Sequence, residues 1–108
     1  MKGLGGGGMQ ALMRQANQMQ ARMKKAQEEF ATREFEGTSG GGAVKVTVLG
    51  DYKVKAVDIQ EDVFTSGDKD MLQDLIVTAV NEGIRVAKTT SDTEMAKITG
   101  GFSVPGMF

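Results

Sequence analysis

The sequence predicts an α+β domain: a long N-terminal helix, a three-stranded antiparallel sheet and a long C-terminal helix. Three observations carry this expectation. Met9, Leu12, Ala16, Met19, Met23, Ala26 and Phe30 recur at alternating steps of three and four, the a and d positions of a heptad, which a helix gathers into one seam. Val44, Val46 and Val48 alternate with Lys45 and Thr47, as in a strand with one buried face. Met71, Leu72, Leu75, Ile76, Ala79, Val80 and Ile84 then return to helical spacing.

Residues 1–8, MKGLGGGG, predict a disordered tail, because glycine loses the most backbone freedom on ordering and only Leu4 can bury apolar surface. Gly3, Gly5 and Gly8 match the dinucleotide-binding pattern G-x-G-x-x-G by accident. That mechanism needs a strand before the turn, and none fits ahead of residue 3. Residues 9–108 are expected to form a single domain.

The helix from Met9 to Arg33 is rich in Gln, Met, Ala, Lys and Glu, with no Gly or Pro inside. At 1.5 Å per residue it runs for about 37 Å, beyond the roughly 13 Å radius of gyration of a compact domain this size, so part of it must project. An apolar seam projecting into water needs a cover. Ala and Met make a weak zipper, which favours packing on the chain's own second long helix over an isolated coiled coil.

Phe35 anchors a short strand from Arg33 to Gly37, and Thr38 to Gly42 reads as a flexible connection rather than a phosphate cradle, since a strand and not a helix follows it. Leu49 to Tyr52 makes a hairpin with Gly50-Asp51 as the turn pair. In the return strand, Tyr52 to Ile59, Val54 has one parity and Val57 and Ile59 the other. That switch predicts either a bulge near Lys55 or Ala56, or edge-strand irregularity. Glu61-Asp62 reads as loop. The second long helix starts after Thr65-Ser66-Gly67-Asp68, capped by Ser66 or Asp68. Its apolar residues cover more than one stripe, which predicts burial on two sides, between the sheet and either the first helix or a partner subunit, and Gly83 inside it predicts a close backbone approach. Ser91 and Glu94 match a capping box, so a break or kink is expected over Thr89 to Thr93. Phe102, Val104, Met107 and Phe108 are expected to hook back onto the body.

Charge is segregated. The first 27 residues hold Lys2, Arg14, Arg22, Lys24 and Lys25 and no acid, which leaves eight bases against 14 acids in the rest of a chain whose net charge is only -1. Arg14, Lys24 and Lys25 sit at f, b and c, opposite the seam. This is either an ordinary solvated helix face or a surface for a polyanion.

With no Cys and no His, disulfides, thiolate metal sites and most general-base or zinc chemistry are excluded. No cofactor motif and no activated nucleophile is present, and 108 residues leave little room for a cleft between lobes. No apolar run nears the roughly 20 residues of a membrane span, and the glycine-rich start is unlike a secretion signal, so a cytoplasmic location is expected.

Taken in order, QANQMQARMKKAQEEF, EFEGTSGGGAVKVTVLGDYKVKAVDI, DMLQDLIVTAVNEGIRVA and KITGGFSVPGMF resemble the YbaB/EbfC family of bacterial nucleoid-associated DNA-binding proteins, from Met9 to Phe108. The most specific parts are GTSGGGAVKVTV, DLIVTAVNEGIRVA and TGGFSVPGMF. The resemblance implies an α-β-β-β-α subunit and a homodimer whose helices project like the jaws of tweezers around double-stranded DNA. It further implies a role in nucleoid organisation or gene regulation, with no enzymatic activity. Carried over by position, Arg14, Arg22, Lys24 and Lys25 of the first helix and Arg85, Lys88 and Lys97 of the later one become the expected DNA contacts. Gln10, Gln15, Asn17 and Gln18 reach either base edges or further phosphates; both remain open. The competing expectation is an adaptor that binds a protein partner through the Met-rich seam.

Overall fold

The computed structural model describes residues 8–100. The elements are α1 (Met9–Ala31), β1 (Glu34–Ser39), β2 (Val44–Leu49), β3 (Val54–Ile59), a short α2 (Glu61–Thr65) and α3 (Lys69–Thr99). The strands form one antiparallel sheet in the order β1-β2-β3. Most of the expected N-terminal tail and the C-terminal residues Phe102, Val104, Met107 and Phe108 lie outside the described residues.

The alternation in β2 does what its period requires. Val44, Val46 and Val48 are fully buried beneath α3, and burying three such side chains contributes about 1.5–3 kcal/mol each. In an antiparallel sheet, directly paired residues share a face, so Phe35, Gly37 and Ser39 of β1 join them. Ser39 donates from Oγ to the Leu75 carbonyl at 2.6 Å, which ties the end of β1 to α3. The predicted bulge is present. Pairing passes from Thr47↔Ala56 to Val48↔Val54 and leaves Lys55 without an opposite residue. The extra residue resets the parity, so Val54, Val57 and Ile59 all point to the α3 side.

Helix α3 crosses β1 and β2. It does so through a stripe of small residues, with Ala79, Gly83 and Ala87 buried. Gly83 makes the expected close approach, for a Cβ there would lie 2.7 Å from Val48 Cγ2 and 3.4 Å from the Gly37 nitrogen. The hairpin turn is closed by Tyr52 N–H donating to the Leu49 carbonyl at 2.8 Å, and Tyr52 takes a positive φ of 67°. Gly50 has negative φ; it is glycine because its α-carbon lies against Phe30, where a Cβ would overlap the Phe30 carbonyl oxygen.

Of the two capping candidates Asp68 is the one used, accepting from Met71 N–H at 3.0 Å. Asp68→Ala is expected to cost about 1 kcal/mol and to lower the thermal midpoint by about 4–8 °C. An unchanged melting curve by circular dichroism would contradict that role.

The structure corrects three expectations. α3 runs unbroken through Thr89 to Thr93. There the Thr93 hydroxyl donates back to the Thr89 carbonyl at 3.0 Å, so this polar run is satisfied within the helix. Residues 61–65 form α2 rather than loop, with Glu61 and Asp62 in its first turn, where acids suit the helix dipole. α3 packs on β1 and β2 and also meets α1, while Met71 and Val77 are exposed. Finally, the seam of α1 is covered only toward its C-terminal end. Phe30 is its one buried residue, Met19, Met23 and Ala26 are half-buried, and Met9, Leu12 and Met13 are 59%, 63% and 60% exposed. α1 is therefore an arm. The radius of gyration of 21.4 Å and extents of 77 × 25 × 16 Å far exceed the roughly 13 Å radius of a compact chain this long.

Candidate nucleic-acid interface

Four of the expected contact residues, Arg14, Arg22, Lys24 and Lys25, lie exposed on α1. At roughly 100° per residue, Arg14 and Lys25 fall within about 20° of each other and opposite the seam, and Arg22 and Lys24 flank them by about 80° on either side. Arg14 and Lys25 stand about 16 Å apart along the axis. The first turn of α1 holds no acid. Among the described residues, the ion pairs are Arg33–Glu94, Lys53–Asp51, Lys55–Glu34 and Arg85–Glu82. None engages a base of this stripe, so all four cations face solvent with their charge available.

The α3 candidates differ. Arg85, Lys88 and Lys97 are exposed, but Lys88 lies about 60° to one side of Arg85 and Lys97 about 120° to the other, so they share no stripe. Arg85 is also occupied. Its Nε and a terminal guanidinium nitrogen donate to the two oxygens of Glu82 at 3.1 and 2.6 Å. This hydrogen-bonded pairing holds the Glu82 carboxyl below its ordinary value and the Arg85 guanidinium above its own. A lowered carboxylate value means the pairing persists above the ordinary carboxylate range and is lost only as pH falls through the lowered one. At neutral pH Glu82 is therefore ionised and available to pair with Arg85, in an exposed contact that a phosphate can compete for.

One relevant residue carried no signal in the sequence. Arg33 lies with its guanidinium carbon 5.3 Å from the ring centroids of both Phe30 and Phe35, and donates to Glu94 Oε1 at 3.2 Å. Its partner is 61 positions away, a separation no local pattern encodes. Among the described residues no group of three or more metal-ligating side chains occurs. No helix of these residues is long and apolar enough to cross a membrane.

A helical arm whose stretch up to residue 27 is cationic and acid-free, with all 14 acids of the chain placed from its root onward, defines a class: a small α+β protein equipped for polyanions. The YbaB/EbfC DNA-binding family model matches residues 5–102, and the chain belongs to that family. The crystal structure of uncharacterized protein HP0035 from Helicobacter pylori is similar in fold, with a TM-score of 0.70 at 20% identity, over 82% of this chain and 94% of that one.

Proposed function

We propose that the protein is a non-enzymatic, nucleoid-associated protein of the cytoplasm that grips double-stranded DNA as a homodimer and serves nucleoid organisation and gene regulation. The observation that carries this reading is the exposed stripe Arg14, Arg22, Lys24 and Lys25 on a projecting, acid-free stretch of helix. Family membership supplies DNA as the polyanion. Such contacts neutralise phosphates and set orientation without reading sequence. Lys88 and Lys97 lie about 180° apart around α3, so at most one of them adds to a given cationic face, and Arg85 contributes less because Glu82 pairs with it.

The homodimer is supported by what α3 leaves uncovered. Val54 and Val57 point to the helix side of the sheet yet are 45% and 41% exposed, and Phe64 of α2 is 69% exposed. Apolar side chains left exposed on the helix side of an edge strand and on the element after it suit an interaction site, and a second copy presenting the same face covers them isologously. Val57→Asp is expected to convert the dimer to monomers and to weaken DNA binding at least about tenfold through lost bivalency. Light scattering with a parallel titration checks both, and a dimer mass in the variant would contradict the assignment of this face.

The exposed Met9, Leu12 and Met13 favour the adaptor as the second reading, since Met-rich surfaces adapt to protein partners. An electrophoretic shift with duplex DNA at moderate salt separates the two. A shifted band is expected; its absence would favour the adaptor.

A further inference from the structure

The one buried anchor of the arm is at its root, and half-buried Met19, Met23 and Ala26 continue the contact from there toward the tip. Phe30 of α1 packs with Phe35 of β1 and Ala87 of α3, the two rings lying 5.1 Å apart at 37°. The Arg33 carbonyl accepts from Gly50 N–H at 3.0 Å, and the Arg33 side chain lies over both rings and ends on Glu94. One residue thus touches the root of α1, the strand that follows it, the β2–β3 turn and the outer part of α3. Toward the tip, beyond half-buried Met19, the α1 seam is exposed in its own chain. Leverage makes the joint matter: Arg14 lies about 24 Å along the helix from Phe30, so a swing of about 20° at the root moves it by about 8 Å. That exceeds the spacing between successive phosphates.

We infer, resting on the DNA-binding function proposed above, that Arg33 and Glu94 are positioning residues for DNA binding: Arg33 is a base at the foot of the cationic arm whose charge is engaged by Glu94 and two aromatic faces, and the pair sets the angle at which the arm presents its stripe. A cation over aromatic rings that also reaches a carboxylate holds a narrower orientation than either contact alone.

The discriminating variant is Glu94→Arg. It makes each chain more positive by two charges, so phosphate electrostatics alone predicts tighter binding. Loss of the joint predicts the reverse, about three- to tenfold weaker binding, because a smaller fraction of arms holds the competent angle. The exchange Arg33→Glu with Glu94→Arg restores an ion pair and is expected to recover most of the loss. Arm angle is read without DNA. The chain has no cysteine, so spin labels at Gln15→Cys and Lys45→Cys, in protein diluted with unlabelled chain, report one intramolecular distance by double electron–electron resonance. The distance distribution is expected to broaden in Glu94→Arg and to narrow again in the exchange variant. Tighter DNA binding by Glu94→Arg, or an unchanged distribution, would overturn the inference. Because the distance is measured in the free protein, failure of the joint is distinguishable from failure of DNA binding itself.

Discussion

Reversing Lys24 and Lys25 together to Glu is expected to weaken binding to duplex DNA by about a thousandfold near 0.15 M salt, whatever the duplex sequence. The size follows from counterion release. Each phosphate contact contributes a salt exponent of about 0.9, which near 0.15 M amounts to about 0.7 log units in affinity relative to 1 M, and a dimer loses four such contacts. Introduced carboxylates repel the backbone and add to the loss. Both lysines are exposed on α1 and none of the ion pairs among the described residues involves them, so the fold and the dimer mass are expected to survive. The check is fluorescence anisotropy on two unrelated duplexes, with circular dichroism and light scattering on the same samples. Unchanged affinity would remove these two residues from the interface, and loss on one duplex alone would mean that they read sequence.

The largest effect on stability is expected at Gly37. An added Cβ there would overlap the Ala79 carbonyl oxygen and the Gly83 nitrogen and would lie 2.8 Å from the Gly83 α-carbon. These are backbone atoms of a helix that cannot yield by rotating a side chain, so α3 must lift from β1. Gly37→Ala is expected to cost about 3 kcal/mol or more, a fall of about 15 °C or more in thermal midpoint for a domain of this size. Gly83→Ala is the internal control. Its Cβ meets chiefly Val48 Cγ2 at 2.7 Å, a side-chain atom, and Ala regains about 1 kcal/mol of helix propensity. It is expected to destabilise much less. Equal melting of wild type and Gly37→Ala would refute the close packing of β1 on α3.

Local chemistry made much of this legible in the sequence. Alternating valines, a parity switch at Lys55, an Asp at a helix start and a Gly inside an apolar helix each have one physical meaning within a few residues, and each is found where expected. Local signals diverge from the fold where two rules compete. Ser91 and Glu94 match a capping box, yet uninterrupted helix bonding of β-branched residues outweighed it, and Glu94 was needed for Arg33 instead. The heptad of α1 specifies a seam, but periodicity states which side is apolar and not what covers it. Its outer half, Met9 to Ala16, lies exposed in the chain. Gly37 and Gly50 are glycine because of atoms brought from α3 and from α1, and such long-range contacts leave no trace in spacing. The cationic stripe itself was visible at once, since charge and helical phase are both local; that Arg85 is held by Glu82 was open to the same reasoning through their i,i+3 spacing.

A dimer that presents its arm cations to phosphates must lose DNA affinity as salt rises. The decisive measurement is the affinity of the wild-type protein for duplex DNA across a salt series, with the mass of the free protein determined in parallel. If both copies use Arg14, Arg22, Lys24 and Lys25, a dimer mass and a log–log slope approaching about -7 are expected. A monomeric mass, or an affinity indifferent to salt, would contradict it.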